Sequence, residues 1–245
     1  GQRFQALEFD GRNLAAVQLD AANQVVVGVG DKQRFGRCRN ACRFIELLPH
    51  IKGDWAKPVY ANGELQYAKI KLEDWQIFAE FQLFGWLHCD TGLRRFRRSY
   101  EEIARKNAKS TRIAGRDLFM LTADGEPGAH VYNVASTGEQ AREVFDVARN
   151  MALREPKFLS RFGVEVGKHD ITVEQTASSF KPLNAEGSTL DGLNVHGGSI
   201  DELHAHKTRA VYDVLDSATG ARSQPLISMI TTRSEERRVG KECLR

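Results

Sequence analysis

Ala104-Arg-Lys-Asn-Ala-Lys-Ser-Thr111 is the stretch on which the reading of the fold turns. It lies between a strand predicted over Ser99–Ala104 and a helix predicted over Asn107–Leu121, in which Ala114, Leu118 and Leu121 form one stripe. A loop that cradles phosphates ends in Gly-Lys-Ser or Gly-Lys-Thr. Its backbone N–H groups wrap the phosphates, its lysine reaches the terminal ones, and its hydroxyl ligates Mg²⁺. Here Lys109 and Ser110 open the helix, as that chemistry requires. The pattern departs twice, with Ala108 at the final glycine and Ile103 at the first. Taken alone, the match is degenerate. A basic helix N-terminus without a ligand accounts for it about as well.

Downstream, Asp124-Gly-Glu-Pro-Gly128 reads as a turn and Ala129–Ala135 as a strand. Thr137-Gly-Glu-Gln140 fits a capping box, opening a helix with Ala141, Val144, Phe145, Ala148 and Met151 inward. Short strands follow at Val164–Val166, Ile171–Glu174 and Ser179–Leu183, then another at Leu193–Ile200. A helix with Val211, Val214, Leu215 and Ala218 inward leads to a last strand, Gln224–Thr232. Alternating strands and helices imply a largely parallel sheet with helices on both faces, where ligands bind beyond the carboxyl ends of the strands.

At such an end stands Gly198-Ser-Ile-Asp-Glu-Leu203, after a strand made poorly apolar by His196-Gly-Gly-Ser199. In phosphate-loop enzymes the Asp of such a pair holds the waters of Mg²⁺, and the Glu orients and deprotonates the attacking water. His204 and His206 follow at once. A zinc reading lacks a third ligand and the His-Glu-x-x-His helix is absent, so supporting or packing roles are expected. No Gly-x-Ser-x-Gly elbow supports a serine hydrolase.

Upstream, the basic run Arg94-Arg-Phe-Arg-Arg98 reads either as a solvated edge strand or as a phosphate-contacting patch. Leu72–Gly85 is an aromatic-rich helix stopped by glycine, and Arg37–Leu48 a helix with Cys38, Ala41, Cys42, Ile45 and Leu48 on one face. Without a second pair nearby, Cys38 and Cys42 read as buried thiols rather than zinc ligands. Gln24–Gly30 is β-prone, and its Gly-x-Gly lacks the third glycine of a dinucleotide site. The rest of residues 1–35 carries no reading.

Composition sets outer bounds. The chain has 245 residues, 41% of them hydrophobic, with 35 Lys+Arg against 32 Asp+Glu, for a net charge of +3. That excludes a disordered or histone-like chain while leaving room for a local basic groove. No apolar run is long enough to cross a membrane, no signal-peptide pattern opens the chain, and four cysteines make no disulfide framework. A reducing, cytosolic setting follows. Both ends read as cut: the chain opens at Gly1, and Arg233-Ser-Glu-Glu-Arg-Arg-Val-Gly-Lys-Glu-Cys243 resembles the translation of a sequencing-adapter read-through. Residues 233–245 are therefore set apart as a non-native tail.

Five motifs then recur in one order. Phe44-Ile-Glu-Leu-Leu-Pro-His-Ile-Lys-Gly-Asp-Trp55, Glu73-Asp-Trp-Gln76, Arg105-Lys-Asn-Ala-Lys-Ser110, Ile200-Asp-Glu-Leu-His-Ala-His206 and Ser228-Met-Ile-Thr-Thr232 together resemble the ATPase domain of phage terminase large subunits. The resemblance covers about residues 37–232. It implies a P-loop NTPase three-layer α/β sandwich with a mainly parallel sheet at 71–232, preceded by an N-terminal segment and helical appendage at 1–70. It implies ATP with Mg²⁺, and a motor that drives double-stranded DNA into a procapsid. Full-length members are also endonucleases, and the resemblance places an acid-rich nuclease part beyond Thr232.

Residue by residue, it gives Trp75 and Gln76 to the adenine and the loop Arg105, Lys106, Asn107, Ala108, Lys109, Ser110 and Thr111 to the phosphates. Lys109 neutralises charge, Ser110 and Asp201 hold Mg²⁺, and Glu202 activates water. Arg105 contacts the γ-phosphate or serves as a finger for a neighbour, and Thr231 and Thr232 couple hydrolysis to movement. Alanine at 108 is tolerated in some family members. Implied partners are a terminase small subunit, a portal protein and further copies in a ring, in the cytoplasm of a bacterial host, with no membrane. Two alternatives stand beside this: another ATP-dependent helicase or translocase, and an inactive prophage remnant.

Overall fold

Strands that are apolar throughout can be buried only when both faces of their sheet are covered, and this chain covers them unequally. The computed structural model describes residues 17–19, 25–27, 32–61, 63–88, 90–184, 192–206 and 208–232. The tail at 233–245 and the Gly-x-Gly at Gly28 and Gly30 lie outside them. In chain order the elements begin with β1 (Val17–Leu19), β2 (Val25–Val27), α1 (Lys32–Leu47), β3 (Val59–Ala61), β4 (Glu64–Gln66) and α2 (Asp74–Gly85). Then come β5 (Arg98–Ile103), α3 (Lys109–Thr122), β6 (His130–Ala135), α4 (Gly138–Leu153) and α5 (Pro156–Phe162). The last are β7 (Val164–Val166), β8 (Ile171–Val173), β9 (Ser178–Asn184), β10 (Val195–Ile200), α6 (Ala210–Ser217) and β11 (Leu226–Thr232). No described helix is long and apolar enough to cross a membrane.

Seven strands form one sheet in the order β5-β11-β10-β6-β9-β8-β7. The first five run parallel, and β8 and β7 extend the sheet antiparallel as a meander from β9. The mainly parallel three-layer sandwich is therefore present. One face carries the large core, where Val131, Phe180, Leu226 and Ile230 of the sheet meet α3 and α4, with α1, α2 and α5 packed around them. The other face carries a smaller core in which Tyr132, Val134, Ile200 and Ile227 meet Val211 and Leu215 of α6. The α1 stripe is buried as its spacing predicts, with Phe44 edge-on to Phe119 and Phe158. Cys38 and Cys42 are buried side by side, 4.0 Å apart. Ile70 and Leu72 belong to the same core as α1 and α3.

Local chemistry explains several boundaries. Thr137 Oγ1 accepts from Gln140 N at 3.3 Å, but Gln140 Oε1 turns to Ser136 Oγ, so only half of the expected capping box forms. At α2, Gln76 Oε1 accepts from Glu73 N at 2.9 Å. Helix α5 and the β3–β4 hairpin lie where no element was expected. The glycines that make β10 poorly apolar let it sit close to its neighbours. A Cβ on Gly197 would stand 3.3 Å from Met120 and Val131 side chains, and one on Gly198 would stand 2.8 Å from Ile227 Cδ1. Gly198→Val is expected to cost about 1–3 kcal/mol by overpacking, seen as a lower urea midpoint. An unchanged midpoint would show that the smaller core yields at this point.

Candidate functional site

The carboxyl ends of β5, β10 and β11 are adjacent in the sheet, and each leads into residues singled out from the sequence. After β5 the chain bends through 104–108 into α3, whose first residue is Lys109. Ala108 takes φ 52°, ψ 30° and Lys106 takes φ 67°, both left-handed. That conformation costs an L-residue roughly 1–2 kcal/mol, which is the physical reason glycine is usual in such a loop. Asn107 Nδ2 donates to Ala104 O at 3.1 Å and ties the bend across its base. Arg112 N, bonded to Ala108 O at 3.0 Å, is the first α3 N–H with a backbone acceptor among the described residues. The N–H groups of Lys109, Ser110 and Thr111 thus point out of the helix end, where an anion is favoured.

Lys109 crosses to the end of β10. Its Nζ lies 2.8 Å from Asp201 Oδ1, 2.5 Å from Glu202 Oε1 and 3.3 Å from Thr232 Oγ1. Asp201 Oδ1 also accepts from Glu202 N at 2.8 Å. Glu202 is left-handed at φ 47°, so three of the four non-glycine residues with positive φ in the described chain belong to this site. Strain gathered in this way is held only where surrounding contacts fix it. The Glu202 carboxylate accepts from Thr232 Oγ1 at 2.7 Å and from Thr232 N at 3.3 Å. Partial burial pushes its pKa up, but Lys109 and Thr232 outweigh this and hold it below the usual glutamate value.

Thr231 faces the same cluster through His204, 2.6 Å from its Oγ1. The His206 ring lies 3.3 Å from the Asp201 carbonyl, through Nε2. Among the described residues no group of three or more potential metal ligands gathers. The Asp201 carboxylate and Ser110 hydroxyl are nonetheless hard oxygen donors of the kind Mg²⁺ takes in ones and twos beside phosphates. Arg105 and Lys106 are exposed on the loop.

Trp75, on the first turn of α2, meets a buried ion cluster that the sequence reading missed, and Gln76 beside it is buried. Arg112 lies over the Trp75 ring, 5.5 Å from its centroid. Arg112 and Arg116 both pair with Glu80, at 2.9 and 2.6 Å, and both pair with Glu101 of β5. Glu80 is fully buried and the two arginines are 1% exposed. Burial works against the ionised Glu101, yet the arginines bring its pKa down to about 2. The only sequence signal was the spacing of Arg112 and Arg116, one turn apart on a helix that also carries the core stripe.

The run Arg94–Arg98 is neither a free patch nor a plainly solvated strand. Arg94 is buried on Asp124 at 2.5 Å, Arg97 donates to Ser223 O at 3.0 Å, and Arg98 chelates Asp216 at 2.7 and 2.8 Å. Arg94 and Arg97 hold the turns at Asp124 and Ser223 and Arg98 holds α6 at Asp216, while Arg95, Arg97 and Arg98 stay exposed at the sheet edge.

Domains that bind nucleoside triphosphates through a phosphate loop share this layout of helix start, paired acids and parallel strand ends, and the chain falls in that class. The family model of the terminase large subunit, ATPase domain, matches residues 74–242, more than half of the chain, and the chain belongs to that family. The large terminase of bacteriophage HK97 is similar in fold, with a TM-score of 0.64 at 23% identity over 80% of this chain and 37% of that one. The large terminase ATPase domain of Thermus phage P74-26 gives a TM-score of 0.45 at 16% identity, over 68% of this chain and 72% of that one. The chain thus spans little more than a third of the HK97 protein. No curated protein sequence matches it.

Beneath the site, Asp117 of α3 is 2% exposed and its Oδ1 accepts from Ser199 Oγ of β10 at 2.5 Å. Burial pushes its pKa up to about 7 against the opposing pull of Ser199 and Arg116. A carboxyl raised above its ordinary 3.8 contributes stability that is complete below that value and is lost as the pH rises through about 7. Asp117→Asn removes that loss. Urea titrations from about pH 4 to about pH 7 are expected to show the variant gaining on the parent as pH rises. A pH-independent difference would mean that Asp117 is ionised throughout.

Proposed function

We propose that this chain is the ATP-hydrolysing motor domain of a viral DNA-packaging terminase, acting on double-stranded DNA. The observation that carries this reading is Lys109, placed by the start of α3 within 2.8 Å of both acids at the end of β10. A triphosphate settling on the N–H groups of 109–111 offers Lys109 denser negative charge than the two carboxylates do. Lys109 then turns to the β- and γ-phosphates. Asp201 and Ser110 would hold Mg²⁺, which neutralises phosphate charge as the γ-phosphoryl group leaves.

Losing Lys109 changes Glu202. The interaction that most lowers its pKa is gone, burial acts unopposed by it, and the carboxylate becomes the stronger base. It takes a proton from water as the water oxygen bonds to the γ-phosphorus and the bond to the ADP oxygen breaks. Lys109 stabilises the charge gathering on the departing oxygens. Trp75, 42% exposed on a ring backed by Arg112, offers a face to the adenine. Gln76 offers only its NH₂ group, since its carbonyl caps α2. Arg105 is exposed on the loop, free to contact the γ-phosphate or to act across a subunit boundary. Thr231 and Thr232, bonded to the Glu202 cluster, couple hydrolysis to movement. In this reading the chain works as a ring in the cytoplasm of a bacterial host, with a small terminase subunit and a portal protein, and derives from a phage or prophage.

Thermal shift with Mg-ATP tests the site. At a hundred times its dissociation constant a ligand adds about 2.7 kcal/mol to stability. The shift is expected in the parent chain and absent in Lys109→Ala; a cooperatively melting parent with no shift would move the inactive-remnant reading ahead. In Glu202→Gln the shift is expected to survive while turnover falls by about 10²–10⁴-fold. Parental turnover in that variant would remove Glu202 from the mechanism. Unwinding of a forked duplex would favour a helicase over a packaging motor.

A further inference from the structure

His204 stands on the short 3₁₀ turn Leu203–Ala205 that follows Glu202. Its Nδ1 lies 2.6 Å from Thr231 Oγ1 and 3.3 Å from Glu202 Oε2. Thr232 holds the same carboxylate from the next residue of β11, through Oγ1 at 2.7 Å and N at 3.3 Å. The four residues therefore close a ring between the turn after β10 and the end of β11. The ring depends on one nitrogen of His204, because Nδ1 alone meets both oxygens. The His204 side chain is 59% exposed, so it buries little surface and adds little to packing. His206, on the same segment, contacts a backbone carbonyl and stays outside the ring.

Once Lys109 turns to phosphates, the contacts that remain on Glu202 are those from His204 and Thr232. We propose that His204 is a positioning residue for hydrolysis: through Nδ1 it fixes the Glu202 carboxylate to the end of β11. A shift of Thr231 is thereby passed to the group that activates water, and the aim of Glu202 persists when Lys109 leaves. The proposal rests on the reading of Glu202 as the base.

The test is steady-state Mg-ATP hydrolysis by the full chain carrying His204→Ala, His204→Asn, His204→Gln, Thr231→Val, or His204→Ala with Thr231→Val. Misplacing a reacting group by about 1 Å costs on the order of a hundredfold. The His204→Ala variant is therefore expected to lose about ten- to a hundredfold in kcat, with KM and the Mg-ATP thermal shift within about twofold of the parent. An Asn amide reaches the place of Nδ1 and a Gln amide that of Nε2, so His204→Asn restores most of kcat and His204→Gln does not. The double variant is expected to be no slower than His204→Ala, because both changes open the same ring. Parental kcat in His204→Ala, equal rescue by Gln, or additive losses in the double variant would each overturn the proposal. If Glu202→Gln abolishes turnover while His204→Ala keeps it, this inference alone fails. If the unsubstituted chain does not hydrolyse ATP, the reading of Glu202 fails and takes this one with it.

Discussion

The Glu80 carboxylate, buried between the Arg112 and Arg116 guanidinium groups, is the interaction on which the rest of the molecule depends. An ion taken out of water costs several kcal/mol unless its partners have good geometry and further hydrogen bonds. Here the cluster is answered on each side: Glu101 from β5 supplies the second negative charge, and Ser228 of β11 accepts from Arg116 at 3.2 Å. It joins α2, α3, β5 and β11, the elements that carry Trp75, Lys109 and Thr232. An apolar cluster of equal volume would hold those elements together as firmly. It would not fix the rotation of α3 about its axis, and that rotation decides where Lys109 points.

From that anchor the site follows with little freedom. The parallel run from β5 to β9 brings the strand ends to one edge, and the bends that leave them are strained at Lys106, Ala108 and Glu202. Ala108 shows how the strain is accommodated. Its φ of 52° is a glycine conformation, and the loop keeps it because Asn107 braces the bend and α3 begins at the next residue. The Ala108 methyl group sits on an exposed residue.

What could be read in the sequence was mostly what burial repeats periodically. The α1 stripe and the aromatic α2 follow from spacing because each faces the large core, and the strand at 130–135 is mostly apolar because both of its faces are covered. Helix α5 is short and packs through Phe158 on Phe44, distant in sequence, and β3 and β4 pair with each other while Val59, Tyr60 and Leu65 stay exposed, so no buried stripe announced either. Charged residues misled for the opposite reason. Arg94, Glu80, Arg112 and Arg116 have the composition of a surface and the burial of a core, and only their partners, far along the chain, make that burial possible. His204 was expected in a supporting role. Its partner Thr231 comes from a strand 27 residues later, which spacing alone does not reveal.

The strand order carries one more consequence, for the order in which the chain acquires its structure. β11 is the last described strand, yet it lies inside the sheet, between β5 and β10. Until it inserts, β5 has no neighbour to pair with, Arg116 lacks Ser228, and Glu202 lacks Thr232. Contacts between residues as far apart as Lys109 and Thr232, separated by 123 positions, close slowly because a long loop must be ordered first. A ribosome delivers β5 well before β11, so β5 waits unpaired until the last described strand has been made. The insertion that completes the sheet also completes the site, so a nascent chain holds its phosphate loop and its paired acids before it has the strand that ties them together.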